Sequence, residues 1–305
     1  MILNFVVYFC ASFLLCILIE NRAASWGLMD PPGGRKMQKM PIPRAGGLAI
    51  FLTFAFSQLF FHSDLPAVFW IGATVVFIGG FYDDRKPHNS VYTKLIFQLT
   101  AAGCAACLPL TGLHLTVTYQ MIFRSLIFVF TLGMINSFNL MDNMNGLTSG
   151  MALVMLVIWT VAHIVSPVVS IPLIAGALGF FVRNFPKGRI FLGDQGSQFL
   201  GYSMSALCIF GLSRHMGSHG GSIEFAWDAV FFLLCSFLLF AVDTTLVVMI
   251  RLKKKVSIFI GDQNHLSHQL LRRGLTAKQV ASLMFALQGL ASVFAVFLAF
   301  RMGVL

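Results

Sequence analysis

Long apolar runs alternate with short polar segments along the whole chain. Ten of these runs are about 17 to 25 residues long, enough for a helix to cross roughly 30 Å of hydrocarbon. The runs lie near 2–19, 45–62, 66–82, 94–110, 122–138, 148–166, 167–183, 197–213, 227–250 and 279–300. Because apolar residues are continuous rather than alternating within each run, β-structure is not expected. The pattern predicts an all-α, polytopic membrane protein with about ten transmembrane helices.

The composition agrees with this pattern. Hydrophobic residues make up 57% of the 305 residues, and the mean hydropathy is +0.83, more apolar material than one soluble core would bury. No soluble domain or linker interrupts the runs, so residues 1–305 are predicted to form a single membrane domain. The first run resembles a signal peptide in length, but its positive residues follow the run instead of preceding it. A retained first helix is therefore favoured.

Positive charge is unevenly distributed between the predicted loops. All Lys and Arg residues except Arg124, Arg214 and Arg301 lie in or at the edges of the loops that follow spans one, three, five, seven and nine. The positive-inside rule places these five loops in the cytoplasm and both termini outside. This distribution accounts for the net charge of +10 without a nucleic-acid partner, because basic loops face anionic lipid.

Acidic residues are concentrated in the same five loops. Asp83, Asp84, Asp142, Asp194 and Asp262 all lie there. Their convergence on one face of the bundle indicates a functional site at that face.

Asp243 lies inside span nine instead. An intramembrane carboxylate of this kind leaves open a secondary transporter that uses Asp243 as its coupling group.

The segment GGFYDDRKPHNSVYTKLIFQ, residues 79–98, places Asp83 and Asp84 directly after a span and Lys94 ten residues beyond. Paired carboxylates near cations suit metal binding or proton transfer, because the neighbouring charges shift their pKa values in opposite directions. A helix-end turn with interfacial charges explains the pair equally well.

The segment NSFNLMDNMNGLTSG, residues 136–150, carries Asn136, Asn139 and Asp142 at intervals of three. On a helix these residues share one face, and their oxygen atoms suit Mg²⁺. We expect 143–146 to break the helix; Asn145 and its neighbours also fit an ordinary helix C-cap.

In the segment NFPKGRIFLGDQGSQFLG, residues 184–201, Gly193 and Asp194 precede a helix that Ser197 can cap. A carboxylate presented at a helix start beside glycine suits a metal ligand near phosphates. Phe191 suits either membrane packing or a stacking platform for a base.

The segment GDQNHLSHQLLRRG, residues 261–274, carries His265 and His268 at positions i and i+3, followed by two arginines. This spacing permits zinc, but no further His or Cys lies nearby. Phosphate binding fits better because the neighbours are basic.

Taken in order, five segments resemble the cytoplasmic motifs of the polyprenyl-phosphate N-acetylhexosamine-1-phosphate transferases. They are DPPGGRKMQKMPIPRAGG before span two, the segments 79–98, 136–150 and 184–201, and the stretch from 243 to 274, which contains the histidine segment. The likeness is greatest to the bacterial undecaprenyl-phosphate alpha-N-acetylglucosaminyl 1-phosphate transferases, within glycosyltransferase family 4. The matching segments run from about residue 30 to residue 276 and stand in the family's order.

The resemblance implies roles for individual residues. Asp83 and Asp84 match the catalytic aspartate pair. The first of the pair is a candidate to deprotonate or orient the lipid phosphate. Asn139 and Asp194 match positions that hold Mg²⁺, for which Mn²⁺ is an alternative.

Substrate-binding roles are implied for a further group. Phe191 matches an aromatic residue that stacks on uracil, and Asn145 a residue at the uracil edge. His265 and His268 match histidines near the diphosphate. The remaining polar matches are Lys94, Asp142, Arg251 and Asp262.

The implied reaction transfers a sugar-1-phosphate, with N-acetylglucosamine as the default sugar, from a UDP-sugar to undecaprenyl phosphate and releases UMP. It would start a cell-envelope polysaccharide such as the O-antigen of lipopolysaccharide. The site would face the cytoplasm from the bacterial inner membrane. A homodimer is left open.

This chain departs from the family pattern at several positions. Asn145 stands where bacterial members often have aspartate, Ser267 replaces the middle histidine of the motif, and Gly188 stands where alanine is usual. None of these departures removes Asp83, Asp84 or Asp194.

Overall fold

The computed structural model describes residues 1–32, 38, 40–60, 64–86, 90–110, 115–218, 222–257, 263–301 and 303. These residues form twelve helices and two very short strands. The helices are α1 (Ile2–Arg22), α2 (Gly46–Phe60), α3 (Ala67–Arg85), α4 (Val91–Ala106), α5 (Val117–Met141), α6 (Leu147–Val161), α7 (Pro167–Asn184), α8 (Gly193–Ser218), α9 (Ile223–Ser236), α10 (Leu238–Lys253), α11 (Leu266–Arg272) and α12 (Ala277–Arg301).

The two strands, β1 (Met29–Asp30) and β2 (Ile42–Pro43), pair antiparallel between α1 and α2. The all-helical prediction therefore holds for the described chain except at this two-residue ladder. So short a pairing has no hydrophobic period that a sequence pattern would reveal. It brings the two ends of the α1–α2 connection together.

Five of the described helices, α1, α3, α5, α7 and α12, are long and apolar enough to cross a membrane. The bent pair α9 and α10 makes a sixth if the two are counted as one span, whereas α2 and α6 are apolar but have only 15 residues each. A 15-residue helix rises about 22 Å, less than the thickness of the hydrocarbon layer. The structure is that of a polytopic membrane protein; ten spans, outside termini and cytoplasmic loops stay predictions.

The run 227–250, predicted as a single span, contains a break. The chain bends by 68° between α9 and α10 at Phe237. Phe237 is fully buried, with ring centroids 5.2 Å from Phe130 and 5.4 Å from Trp159. The run contains no proline or glycine, so tertiary packing rather than a local helix breaker accompanies the bend.

Helix α8 is the central element, and it packs against α3 and α5. Tyr202 is fully buried and donates its hydroxyl hydrogen bond to the carbonyl oxygen of Phe69 on α3, at 3.0 Å. At the other end of α3, a Cβ on Gly80 would lie only 2.4 Å from the Cα of Gln195. The absence of a side chain at Gly80 thus allows the end of α3 to meet the first turn of α8.

Candidate active site

The first turn of α8 is bound by a carboxylate from α3. The backbone N–H groups of Asp194 and Gln195 donate to Oδ1 and Oδ2 of Asp84, at 3.0 and 3.1 Å. Gly193 has φ +76°, and a Cβ there would lie 2.6 Å from Asp84 Oδ2, so glycine is required by both conformation and space. Asp84 therefore satisfies backbone donors at the start of α8.

Arg44 holds the same carboxylate from the opposite side. Its Nε lies 3.0 Å from Asp84 Oδ1, and its Nη1 lies 3.1 Å from Oδ1 of Asp30, which also accepts from Gln38 through Oδ2 at 2.6 Å. Burial lowers the pKa of Arg44, but Asp84, Asp194 and Asp30 outweigh this effect and raise it. In the distribution of Lys and Arg along the chain, Arg44 is one more basic loop residue. Only its position in the segment DPPGGRKMQKMPIPRAGG indicated that it belongs to the site.

The adjacent aspartates, both predicted to be catalytic, have different surroundings. The Asp84 side chain is fully enclosed, and both its oxygens accept protein hydrogen bonds. Asp83 is 8% exposed, with Oδ2 at 3.9 Å from Nζ of Lys94. The catalytic assignment of both stays a prediction, but the position of Asp84 is that of a residue that supports the site.

Lys94 lies in a cluster of oxygen atoms. Its Nζ is 2.6 Å from Asp194 Oδ2, 3.0 Å from Asn139 Oδ1 and 3.9 Å from Asp83 Oδ2. We call Asp83, Asn139 and Asp194 the oxygen cluster. Helices α3, α5 and α8 each contribute one of its members, and α4 contributes the lysine.

The orientation of the Asn139 amide is fixed by a neighbour. Its Nδ2 donates to Oγ of Ser197 at 3.0 Å, which turns Oδ1 toward Lys94. Burial opposes ionisation of Asp194, but Lys94, Arg44 and Asn139 outweigh it and hold its pKa below the usual range. Asp194 therefore carries a negative charge in this arrangement.

Asn136 shares its helix face with Asn139 but lies apart from the oxygen cluster. Its Nδ2 donates to Gln98 Oε1 at 3.1 Å, and Gln98 in turn donates to Gln198 Oε1 at 3.1 Å. These three amides form a partly buried network between α4, α5 and α8 about one turn from the site.

Asp142 caps the C-terminus of α5 and is electrostatically coupled to the site. Burial raises its pKa to about 8, and the charges of Asp194 and Asp84 act in the same direction, whereas Arg44 opposes them. The predicted helix break follows as expected: α5 ends at Met141, and Gly146, with φ +71°, precedes α6.

Asn184 and Asn145 connect the α5–α6 and α7–α8 segments. Asn184 accepts a hydrogen bond from the N–H of Gly146 and donates to the carbonyl of Ile190 at 2.7 Å. Asn145 donates to the carbonyl of Pro186 at 3.2 Å, and a Cβ at residue 188 would lie 2.5 Å from its Nδ2. Two departures from the family pattern, Asn145 and Gly188, are thus in direct contact.

The backbone around Phe191 pairs with the segment that leads into α2. Its N–H donates to the carbonyl of Pro43 at 2.7 Å, and its carbonyl accepts from the N–H of Gly46 at 2.9 Å. The Phe191 side chain is half-buried. Hydrogen bonds therefore fix the backbone on both sides of Phe191.

The histidine motif begins at α11. Nδ1 of His265 and the backbone N–H of Leu266 both lie 2.7 Å from the Asp243 carboxylate, one at each oxygen. Ser267 donates to Oδ1 of Asn143 at 2.6 Å. The motif is thus attached to α10 and to the α5–α6 connection.

The remaining predicted residues lie near this motif or outside the described chain. His268 is half-buried, with its ring centroid 6.2 Å from that of His265. Arg251 is 1% exposed within α10. Asp262 lies outside the described residues.

Two cavities border the bundle. The smaller, about 290 Å³, lies beside Pro186 and is lined by three basic residues, Arg183, Lys187 and Arg189. The larger, about 410 Å³, lies between Asp64 and Arg214. Because Arg214 and Asp194 are 20 residues apart on α8, this larger cavity is about 30 Å from the oxygen cluster and is not part of the site.

The donor set of the oxygen cluster fits a hard divalent cation. It consists of two carboxylates and an amide oxygen, the ligand types that Mg²⁺ prefers, and it already surrounds a positive group. No group of three or more His, Cys, Asp or Glu with metal-binding geometry occurs in the part of the chain that the structure describes. The fit therefore rests on Asn139 together with the aspartates.

Known proteins share this sequence pattern. A protein from Bacillus subtilis (strain 168) named "Probable undecaprenyl-phosphate N-acetylglucosaminyl 1-phosphate transferase" is 27% identical over 97% of this chain and 84% of its own length. A decaprenyl-phosphate N-acetylglucosaminephosphotransferase from Mycobacterium tuberculosis (strain CDC 1551 / Oshkosh) is 27% identical over 90% and 76%. An undecaprenyl-phosphate alpha-N-acetylglucosaminyl 1-phosphate transferase from Thermotoga maritima is 25% identical over 93% and 88%.

The family comparison covers the central part of the chain. The sequence model of glycosyl transferase family 4 matches residues 66–212, from the start of α3 into α8. This region contains the whole oxygen cluster, Lys94 and Phe191. The resemblance carried by the motifs is thus confirmed, and in residues 66–212 the chain carries the pattern of glycosyl transferase family 4.

Proposed function

We propose that this protein transfers N-acetylglucosamine-1-phosphate from a UDP-linked donor to a polyprenyl phosphate, with undecaprenyl phosphate as the carrier. The observation that carries the proposal is the oxygen cluster, which converges on Lys94 at the first turn of α8. Phosphoryl transfer requires positioned reactants and compensated negative charge rather than covalent chemistry by the protein. A cluster of oxygen ligands that can hold a cation, with a lysine beside it, meets that requirement.

A divalent cation, Mg²⁺ or alternatively Mn²⁺, is part of the proposal. Asp194 and Asn139 would hold it, with Asp83 beside them. When bound, such a cation compensates the charge of a diphosphate and of the leaving phosphate. Lys94 would then be free to contact phosphate oxygens, as an ammonium group of this reach does in other phosphate sites.

The reaction is a single displacement at phosphorus. An oxygen of the carrier phosphate forms a bond to the β-phosphorus of the donor, and the bond from that phosphorus to the bridging oxygen breaks. The bridging oxygen leaves with UMP, so the products are UMP and a lipid diphosphate that carries the sugar. In this scheme Asp83 orients the carrier phosphate, whereas the enclosed Asp84, which binds Arg44 and the first turn of α8, supports the site.

The donor end of the site lies toward the α7–α8 connection. Phe191 offers an aromatic face for uracil, and Asn145 offers an amide at its edge. Lys187 and Arg189, which line the cavity beside Pro186, add positive charge near Asn145, which suits an anionic donor; Arg183 in the same cavity is paired with Glu20. The site would face the cytoplasm at the inner membrane, where nucleotide sugars are available.

The transporter alternative loses support from the surroundings of Asp243. A coupling carboxylate must exchange its partner with water or substrate during transport. Asp243 is fully buried, and both its oxygens accept hydrogen bonds from residues 265 and 266. This environment suits a fixed structural or orienting carboxylate.

The direct test is lipid labelling by purified protein. We expect radiolabel from the sugar of UDP-N-acetylglucosamine to reach undecaprenyl phosphate only when Mg²⁺ or Mn²⁺ is present, with one UMP released per lipid labelled. Labelling only from another UDP-sugar would keep the reaction and change the donor. Absence of labelling across a panel of UDP-sugars would refute the proposal.

A further inference from the structure

The carboxylate of Asp243 joins a histidine ring to the start of a helix. Oδ2 lies 2.7 Å from Nδ1 of His265, and Oδ1 accepts from the N–H of Leu266 at 2.7 Å. Asp243 is fully buried and His265 is 3% exposed, so water does not compete at this contact. The two hydrogen bonds fix both the position and the plane of the imidazole.

This contact also decides which ring nitrogen faces away from the carboxylate. A carboxylate oxygen accepts hydrogen bonds, so we assign the proton of this contact to Nδ1 of His265. The other nitrogen, Nε2, is then the atom that can meet a ligand. A carboxylate that is hydrogen-bonded to one nitrogen of an imidazole also stabilises the imidazole when the other nitrogen takes up a proton. Carboxylates orient histidine rings in this way where the other nitrogen binds a charged ligand.

The helix that follows the ring is hydrogen-bonded to the α5–α6 connection. Two residues beyond it, Ser267 donates to Asn143, and Asn143 adjoins Asp142. Asp142 in turn is close enough to Asp194 and Asp84 for their charges to act on it. The Asp243–His265 pair is therefore connected to the oxygen cluster through the α5–α6 connection.

We propose that Asp243 is a positioning residue that holds the proton on His265 Nδ1, so that Nε2–H of the protonated ring donates to a phosphate oxygen of the donor. This inference rests on the proposed function, because it requires a phosphate-bearing substrate. The buried negative charge compensates the protonated ring, so the hydrogen bond to the anionic phosphate is charge-assisted. Through His265, the Asp243 carboxylate within α10 contributes to substrate binding.

The first experiment reads the ring directly. In ¹⁵N-histidine-labelled protein without ligand, under alkaline conditions where the ring is neutral, we expect His265 to be protonated at Nδ1, its signals being assigned by their loss in His265→Gln. In Asp243→Asn the amide has a single acceptor oxygen. If that oxygen stays with Leu266, the NH₂ group donates to Nδ1 and the proton moves to Nε2. Protonation at Nε2 in the unsubstituted protein would overturn the inference without any variant.

The second experiment reads binding. We expect Asp243→Asn to weaken UDP-N-acetylglucosamine about tenfold, since a charge-assisted hydrogen bond becomes a neutral one, and to leave uridine, which has no phosphate, unchanged. In a His265→Gln background the same substitution should have no further effect. Asp228→Asn, the same change in neighbouring α9, controls for a general effect of charge, and the thermal unfolding midpoint reports on folding.

The outcomes separate the two proposals. Equal weakening of uridine and UDP-N-acetylglucosamine, or an undiminished effect in the His265→Gln background, would overturn the role of Asp243. If the unsubstituted protein carried the proton on Nδ1 but bound no UDP-sugar, the proposed function and the phosphate contact would fall. The Asp243–His265 orientation alone would then stand.

Discussion

Nζ of Lys94 lies 2.6 Å from Oδ2 of Asp194, within a group of oxygens that also includes Asn139 and Asp83. The ammonium group of Lys94 therefore compensates the negative charge of the oxygen cluster. A divalent cation at the same oxygens would be repelled by this ammonium group at short range. Lys94 and the cation are expected to compete when no substrate is present.

The first prediction follows from this competition. We expect Lys94→Gln to tighten Mn²⁺ binding about tenfold in substrate-free protein, because the nearest positive charge is removed, and to reduce turnover. Electron paramagnetic resonance of free Mn²⁺ measures the affinity. Lys86→Gln is the matched control, since Lys86 instead donates to the hydroxyl of Tyr82 at 3.1 Å. Unchanged or weaker binding in Lys94→Gln would show that lysine and metal do not share the site.

Asp194 is predicted to be essential for turnover and dispensable for folding. We expect Asp194→Asn to lower kcat by about a thousandfold or more, because a metal-binding carboxylate becomes an amide at the centre of the charge cluster. Asp64→Asn removes a carboxylate that pairs with Arg214 at 3.2 Å in the other end region of the bundle, and it should leave turnover unchanged. Normal turnover in Asp194→Asn would remove this residue from the reaction.

The two adjacent aspartates should separate in their effects. Asp84→Asn is expected to lower stability by about 3–5 kcal/mol, because it leaves Arg44 and the start of α8 without their buried partner. Asp83→Asn is expected to lower kcat far more than it lowers the thermal unfolding midpoint, because Oδ2 of Asp83 lies in the oxygen cluster, 3.9 Å from Nζ of Lys94. The check is to measure kcat and the unfolding midpoint for both variants. Equal stability losses would contradict this division of roles, and a stable but inactive Asp84→Asn would return Asp84 to a catalytic role.

Membrane orientation can be tested with single cysteines. In a chain whose six native cysteines are replaced, the Glu224→Cys thiol should react with an impermeant reagent added to intact cells. The Ser257→Cys thiol should react only after lysis, because the basic loop around it is predicted to be cytoplasmic. The reverse labelling pattern would invert the topology.

The sequence was informative about helices and about which segments meet. Continuous apolar runs predicted the helical elements, and the break between α5, which ends at Met141, and α6, which Gly146 precedes, lies where the polar stretch indicated. The bend at Phe237 could not be predicted, because aromatic packing from distant helices stabilises it. The β1–β2 pairing was equally hidden, since two residues carry no pattern.

Which pairs of site residues contact each other could not be predicted from the sequence, for a different reason. Asp83 and Asp84 are neighbours in sequence, yet successive residues on a helix point about 100° apart, so only the packing of α3 against α8 decides their roles. Arg44 and Asp84 are separated by 40 residues, and Asp243 and His265 by 22. A sequence shows that such charges exist, but only the fold shows that they meet.

In the proposed reaction a phosphosugar, and not a sugar alone, moves to the lipid. The most direct measurement uses UDP-N-acetylglucosamine labelled with ³²P at the β-phosphate, with purified protein, undecaprenyl phosphate and Mg²⁺. We predict that the ³²P appears in the lipid product and that the released nucleotide is unlabelled UMP. Lipid that gains the sugar while the ³²P remains in released UDP would contradict the account.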